Sequence, residues 1–207
     1  MAALFSDPLV SAARAETAPV RIVAFGDSLT AGYGVANNAA FPVQLEKALR
    51  ARQHTVEIAN AGVSGDTASG GLARLDWSVP EGTEAVIVEL GANDMLRGVD
   101  PSVTRRALDE ILRRLHDRGI PILLCGMRAA PSLGPDYVQR FEAIFPELAK
   151  QYDALLYPFF LQDVATQRGL NQGDGVHPTA AGIEVIVRGI LPLSEELIGR
   201  ALARRKS

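Results

Sequence analysis

The sequence predicts an α/β fold, specifically a three-layer α/β/α sandwich built on a five-stranded parallel sheet. Short apolar runs alternate along the chain with longer amphipathic stretches, which is the order expected when helices connect parallel strands. Runs such as Val86-Ile87-Val88 are continuously apolar, which indicates strands covered on both faces. Right-handed crossovers between such strands place helices on both sides of the sheet.

Each element follows from these patterns. Five strands are predicted, at Val20–Phe25, Val56–Ala59, Ala85–Leu90, Pro121–Gly126 and Ala154–Tyr157. Four long helices are predicted from apolar residues at helical spacing, at Pro42–Arg52, Pro101–Arg118, Asp136–Gln151 and Thr179–Ala203. Gly119 is a suitable stop for the second of these helices. Pro192 predicts an interruption in the last one, because proline lacks the N–H that a helix interior uses.

Length and composition favour one domain. The chain has 207 residues, of which 47% are hydrophobic and 22% are charged, and this suits one core without a second full domain. We predict a single domain over residues 19–207, preceded by an N-terminal tail or signal-peptide remnant at residues 1–18. The formal net charge of −3 gives no electrostatic basis for binding nucleic acid. No apolar run approaches the roughly 20 residues that span a bilayer, so we expect no stable membrane insertion. We also expect the protein to be a monomer.

The first residues leave two interpretations open. Ala13-Arg14-Ala15 resembles a small-residue cleavage site that follows apolar residues. However, the segment has no basic start, and Asp7-Pro8 breaks its apolar stretch. It is therefore either the end of a signal peptide that begins upstream or an ordinary mobile terminus. The first interpretation, which we prefer, predicts a periplasmic or secreted protein.

Four polar blocks follow predicted strands or precede the last helix. Ser28 follows the first strand, Gly65 the second and Asn93 the third, and His177 lies before the last helix. Because the carboxyl ends of parallel strands meet at one edge of a sheet, we expect these blocks to converge. Asp174 lies three residues before His177, where its carboxylate can fix the imidazole tautomer.

Each block also has an ordinary structural explanation. Ser28 suits a helix N-cap, Asn93 and Gly65 suit turns, and a lone loop histidine is usually a surface residue. The combination is more specific than its parts. It supplies a nucleophile, a base with an acidic neighbour and two groups of hydrogen-bond donors, which are the parts that acyl transfer requires.

On these residues the chain resembles the SGNH hydrolases, also called the GDSL family of lipases and esterases. The resemblance runs from about Val20 to Gly182 and is strongest to the bacterial branch of thioesterases, lysophospholipases and arylesterases. The motifs that carry it are Gly26-Asp27-Ser28-Leu29, Ser64-Gly65-Asp66-Thr67, Gly91-Ala92-Asn93-Asp94 and Asp174-Gly175-Val176-His177-Pro178.

The resemblance implies a flavodoxin-like sheet in the order 2-1-3-4-5 and a role for each marker residue. Ser28 is expected to be the nucleophile, His177 the general base and then acid, and Asp174 the orienting carboxylate. The oxyanion hole would consist of the Ser28 and Gly65 backbone amides and the Asn93 side-chain amide. The resemblance implies neither a cofactor nor a metal.

Further residues in these blocks are expected to contact substrate. They are Asp27, Leu29, Asp66 and Leu72. The small residues of Thr67–Gly71 are those expected of a mobile flap over the site.

The function implied is that of a serine esterase acting through an acyl-serine intermediate. Its expected substrates are small-molecule carboxylic esters with short to medium acyl chains and aryl esters, and also acyl thioesters or lysophospholipids. An acyltransferase or carbohydrate O-deacetylase with the same triad is the alternative. A third reading is a non-enzymatic module in which Ser28 and nearby amides only hold an anion. The larger α/β-hydrolase fold is not predicted, because Thr30 stands where its G-x-S-x-G elbow has a glycine.

Overall fold

A parallel sheet of five strands forms the centre of the molecule in a computed structural model, which describes residues 18–206. The strands are β1 (Val20–Gly26), β2 (Val56–Gly62), β3 (Ala85–Glu89), β4 (Ile122–Cys125) and β5 (Leu155–Tyr157). Their order in the sheet is β2-β1-β3-β4-β5. The predicted fold class, strand count and strand order are therefore confirmed. The segment 1–17, to which the signal-peptide expectation refers, lies outside the described residues.

Helices connect these strands and cover both faces of the sheet. In the part of the chain that the structure describes they are α1 (Ser28–Ala31), α2 (Phe41–Ala51), α3 (Ala68–Ser78), α4 (Ala92–Leu96), α5 (Pro101–Asp117), α6 (Pro135–Gln151) and α7 (Ala180–Arg204). Helices α2 and α7 pack together on one face, and α3, α5 and α6 pack in sequence on the other. Between residues 18 and 206, no helix is both long and apolar enough to cross a membrane.

The predicted interruption at Pro192 is wrong, because α7 continues through it. A proline inside a helix costs about 3 kcal/mol in free energy. The apolar face of α7 outweighs this cost, since Ile190, Leu191, Leu197 and Ile198 on either side of the proline are all buried.

The burial of each strand explains whether its sequence is continuously apolar. All five residues of β3 and all four of β4 are buried, because helices cover both faces of these inner strands. Strand β2 lies at an edge of the sheet and is largely half-buried or exposed, so only its first residues carried a clear strand signal. This explains why β2 extends to Gly62 rather than ending at Ala59 as predicted.

The segment predicted as a flap is the beginning of helix α3, which corrects the expectation of a loop there. Thr67 caps the helix, since its Oγ1 accepts a hydrogen bond from Gly70 N at 3.2 Å. A Cβ on Gly71 would lie 2.5 Å from a methyl carbon of Leu90, so only glycine allows α3 to approach the sheet this closely. The two glycines lower the intrinsic helix propensity and conceal the helix in the sequence, but the cap and the packing outweigh that preference.

Candidate active site

The loops that carry the four polar blocks begin side by side at the carboxyl edge of the sheet. Gly26 at the end of β1 pairs with Gly62 of β2 on one side and with Glu89 of β3 on the other. The chain therefore enters the loops of Ser28, Gly65 and Asn93 from three adjacent strand ends. The predicted convergence of these blocks is confirmed.

A chain of hydrogen bonds links Ser28, His177 and Asp174. Ser28 Oγ lies 2.9 Å from His177 Nε2, and His177 Nδ1 lies 2.6 Å from Asp174 Oδ2. The carboxylate can only accept, so Nδ1 carries a proton and donates it to Asp174. Nε2 then has a free lone pair that accepts the hydroxyl proton of Ser28. This is the arrangement of nucleophile, base and orienting acid used in serine hydrolysis.

The Asp174 carboxylate is held by its own loop. Its Oδ1 accepts the backbone N–H groups of Val176 at 2.9 Å and His177 at 3.0 Å, while Oδ2 faces the imidazole. The hydrogen bond from the His177 side chain, followed by these two backbone bonds, lowers the pKa of Asp174 to about 2. Asp174 therefore remains ionised at any pH near neutrality.

Ser28 owes its position to a single-turn helix. Asp27 caps this helix with Oδ1, which accepts from Leu29 N at 3.0 Å, and Gly32 closes it by donating its N–H to the Ser28 carbonyl. Ser28 is the first helical residue, so its hydroxyl and its backbone N–H lie at the helix N-terminus. Only 8% of the residue is exposed.

The candidate oxyanion donors are Gly65, in the loop after β2, and Asn93, in the short helix α4 after β3. Gly65 has a φ of +85°, a left-handed conformation that side-chain-bearing residues rarely adopt, and Arg97 Nη2 holds its carbonyl oxygen at 2.7 Å. Asn93 donates one N–H of its side-chain amide to Asp27 Oδ2 at 2.9 Å. An amide NH₂ group has two hydrogens, so the second remains available to a substrate oxygen.

Asp94 ties the Asn93 loop to the start of α3, next to Gly65. It is completely buried, and its Oδ2 accepts from Ala68 N at 2.8 Å while its Oδ1 accepts from Thr104 Oγ1 at 3.0 Å. Together with the bond from Arg97 to Gly65, this contact joins the two candidate oxyanion loops into one unit.

A cleft of about 740 Å³ opens beside Ser28 and His177. Its polar groups are few, and most of its wall consists of apolar side chains from Leu29, Ala92, Met95, Leu96, Met127, Ala129, Ala130, Pro131, Val138, Phe159, Leu161, Ala165 and Val176. A concave apolar site with a small number of converging polar groups is typical of a small-molecule binding site.

Two buried carboxyl groups and a buried arginine lie next to Ser28. Burial raises the pKa of Asp27 to about 6, against the opposing effect of its hydrogen bonds from Leu29 and Asn93. Burial, followed by the nearby charge of Asp27, raises the pKa of Glu89 well above its usual range. Arg74 donates to the carbonyls of Gly26 at 2.8 Å and Ala61 at 2.9 Å, which joins the ends of β1 and β2.

The four residues expected to contact substrate have different positions. Leu29 lies in the wall of the cleft, in agreement with its expected role. Asp27 is 0% exposed, so the expectation of direct substrate contact is wrong for this residue. Asp66 is engaged by Arg74 Nε at 2.6 Å, and Leu72 packs against the core, so neither forms part of the cleft wall.

The sequence interpretation gave no role to several residues that build the site. The Glu89 carboxyl and the Arg74 guanidinium are buried, and Arg97 holds Gly65. Tyr33 packs its ring against the imidazole of His177, with 4.6 Å between ring centroids. Only Glu89 had a usable signal, because it is a carboxylate at the end of an otherwise apolar strand.

A three-layer α/β/α fold that brings a serine, a histidine and an aspartate into one hydrogen-bonded chain is the arrangement expected of a hydrolase. The comparisons with known proteins agree with this class. A family model described as the GDSL-like lipase/acylhydrolase family matches residues 24–185. The chain belongs to this family, the SGNH hydrolases, as its motifs indicated, and it is an enzyme.

Named relatives cover most of the chain. It is 33% identical over 184 residues to esterase TesA of Pseudomonas aeruginosa, an alignment that covers 88% of this chain and 92% of the relative. It is 39% identical over 158 residues to thioesterase 1/protease 1/lysophospholipase L1 of Escherichia coli K12, which covers 76% and 74%. The crystal structure of AlinE4, an SGNH-hydrolase family esterase, has a TM-score of 0.73 at 48% identity and covers 86% of this chain and 96% of that one.

Proposed function

We propose that this protein hydrolyses small-molecule carboxylic esters through an acyl intermediate on Ser28. The observation that carries the proposal is the hydrogen-bonded chain from Ser28 Oγ to His177 Nε2 and from His177 Nδ1 to Asp174, beside an apolar cleft. The backbone N–H groups of Val176 and His177 bind Asp174 Oδ1 and leave Oδ2 to face the imidazole. Asn93, whose side-chain amide has a second N–H available, lines the same cleft as Ser28 and His177.

The proposed reaction has two halves. Ser28 Oγ attacks the ester carbonyl carbon while its proton passes to His177 Nε2, and the carbonyl oxygen becomes an oxyanion held by the Ser28, Gly65 and Asn93 amides. The tetrahedral intermediate collapses, and the alcohol or thiol leaves with the proton from Nε2. Water then attacks the acyl-serine in the same way, releases the acid and restores Ser28. Asp174 keeps its charge throughout and stabilises the imidazolium.

The relatives and the cleft support a substrate class. The names of the relatives include esterase, arylesterase, thioesterase and lysophospholipase, which share an acyl group on oxygen or sulfur. The apolar wall of the cleft suits an acyl chain or an aryl group. We propose short to medium acyl and aryl esters as preferred substrates, with acyl thioesters and lysophospholipids as further substrates of the same site.

A substrate panel with a matched control tests this proposal. We expect purified protein to hydrolyse p-nitrophenyl esters and acyl thioesters, and Ser28→Ala to lose this activity. Ser102→Ala is the control, because Ser102 is exposed on α5 and its hydrogen-bond partners Arg106 and Asp100 are not part of the cleft wall. Substantial activity in Ser28→Ala would refute the assignment. A rate that rises steadily with acyl chains longer than about ten carbons would refute the chain-length preference alone.

We prefer hydrolysis to acyl transfer because the named relatives include an esterase and an arylesterase. Measuring how the acyl group divides between water and an added alcohol or sugar distinguishes hydrolysis from transfer. Predominant transfer at low alcohol concentration would instead favour the acyltransferase reading.

We also propose that the protein acts as a monomer outside the cytoplasm, in the periplasm or after secretion. The resemblance of Ala13-Arg14-Ala15 to a signal-peptide cleavage site supports the location outside the cytoplasm. The intact mass of the protein from its native host tests cleavage, and light scattering after size-exclusion chromatography tests the oligomeric state. A mass that retains these residues, or a dimer mass, would contradict the respective proposal.

A further inference from the structure

Two buried carboxyl groups lie beneath Ser28, and the proposed reaction uses neither of them. Asp27 and Glu89 are both 0% exposed. Glu89 Oε2 accepts the backbone N–H of Asp27 at 3.3 Å and the hydroxyl of Thr30 at 2.7 Å. Burying two neighbouring carboxyl groups has a large cost in desolvation and repulsion. Such an arrangement therefore indicates a function for at least one of them.

Asp27 uses its two oxygens for different partners. Oδ1 accepts from Leu29 N at 3.0 Å, and Oδ2 accepts from Asn93 Nδ2 at 2.9 Å. An ionised carboxylate can accept hydrogen bonds but cannot donate them. If the Asn93 amide turned by 180°, its carbonyl oxygen would face Oδ2 and two acceptors would meet without a hydrogen between them. The Asp27 carboxylate therefore permits one orientation of the amide.

We propose that Asp27 is a positioning residue for catalysis, whose buried carboxylate turns the Asn93 amide so that an N–H, rather than the carbonyl oxygen, faces the oxyanion. Glu89 fixes Asp27 from beneath through the bond from the Asp27 N–H. The inference rests on the proposed function, because it takes Asn93 as an oxyanion donor. Asp27 itself does not touch the substrate.

The electrostatics of the pair agree with this role. Burial raises the pKa of Glu89 well above its usual range, and the charge of Asp27 acts in the same direction. The pKa of Asp27 rises only to about 6, because Leu29 and Asn93 donate to its charged form. Glu89 therefore holds the proton of the pair, and Asp27 holds the charge that orients Asn93.

Asp27→Asn tests the proposal. Asparagine has one acceptor oxygen, so it cannot serve both Leu29 N–H and Asn93 NH₂. Its own NH₂ group would favour a turned Asn93 and would remove the donor from the oxyanion. We expect a loss of about 10²–10³ in kcat, the typical effect of removing one oxyanion donor, with KM changed by less than about threefold. Asp109→Asn is the matched control, because Asp109 accepts two hydrogen bonds on α5, from Gln151 and Tyr152, away from the cleft.

A double-mutant cycle separates positioning from a general structural effect. If Asp27 acts through Asn93, the double variant Asp27→Asn/Asn93→Ala should have the kcat of Asn93→Ala within about threefold. A further loss of about 100-fold in the double variant would overturn the proposal and leave the oxyanion role of Asn93 intact. A wild-type kcat in Asn93→Ala would overturn that role itself, and with it the proposal.

A spectroscopic measurement on the unaltered protein covers the case in which Asp27→Asn does not fold. In deuterated, ¹⁵N,¹³C-labelled protein, scalar coupling across hydrogen bonds should connect Asn93 Nδ2 to the Asp27 carboxyl carbon. The coupling from Leu29 N to the same carbon is the internal reference, since that bond has a similar length. Detection of the Leu29 coupling without the Asn93 coupling would overturn the proposal.

Discussion

The substitution Asp174→Asn tests how the imidazole of His177 is prepared as a base. Asp174 Oδ1 accepts two backbone N–H groups, and Oδ2 alone faces His177 Nδ1. In asparagine, the oxygen would remain with the backbone donors and the NH₂ group would face Nδ1. Nδ1 would then have to accept, so the proton would move to Nε2 and face Ser28. The base would be lost although the side chain keeps its shape.

The expected loss in kcat depends on how exposed the side chains of Asp174 and His177 are. The wrong tautomer costs about 10⁴ in kcat where the aspartate is fully buried, as in chymotrypsin. Here the Asp174 side chain is 41% exposed and that of His177 is 19% exposed, so solvent weakens the preference between tautomers. We therefore expect a loss of about 10³ in kcat, which corresponds to about 4 kcal/mol.

The assay is steady-state hydrolysis of p-nitrophenyl butyrate at neutral pH, with circular dichroism to confirm folding. Asp163→Asn is a matched control, because Asp163 is exposed, has a φ of +62° that asparagine tolerates, and is not part of the cleft wall. A folded Asp174→Asn protein that keeps its kcat within tenfold of wild type would refute the reasoning.

Three further outcomes follow from the structure. Asn93→Ala should lower kcat by about 10²–10³ and should also lower the thermal stability, because the buried Asp27 Oδ2 loses its hydrogen-bond donor. An unchanged kcat in the folded variant would contradict the role of Asn93 as an oxyanion donor. Arg74→Met should destabilise the fold by about 3–5 kcal/mol, because it leaves the largely buried Asp66 carboxylate unpaired. This corresponds to a fall of about 6–20 °C in Tm, and a fall below about 2 °C would contradict the prediction. Glu89 has a raised pKa in the folded state, so unfolding releases its proton and the stability should fall as the pH rises above about 4.5. Glu89→Gln should reduce this pH dependence by about one proton in urea unfolding between about pH 5 and pH 7, and parallel curves for both proteins would refute the assignment.

The sequence predicted the sheet well because its inner strands are buried on both faces. Strands β3 and β4 appear as uninterrupted apolar runs, and the long helix α5 shows its buried face at regular spacing. Helix α3 could not be predicted in this way. Its Gly71 allows close packing against Leu90, a contact that depends on residues distant in the sequence.

The sequence predicted the marker residues of the candidate site, but not the buried contacts that hold them in place. Ser28, Gly65, Asn93 and His177 stand in short motifs after strand ends, so sequence order and topology bring them together. The contacts of Asp27 with Asn93 and Glu89 join residues more than 60 positions apart and have no local pattern. Whether a carboxylate in such a motif faces the cleft or the core depends on its hydrogen-bond partners, which only the fold specifies.

The central claim is that Ser28 is an activated nucleophile, and covalent labelling tests it most directly. Intact protein is treated with a serine-directed phosphonate ester and digested, and the modified peptide is sequenced by mass spectrometry. We expect one adduct on Ser28, formed in parallel with the loss of esterase activity, and no adduct in His177→Ala over the same time. Complete inactivation with the adduct on another residue, or active enzyme with Ser28 fully modified, would contradict the mechanism.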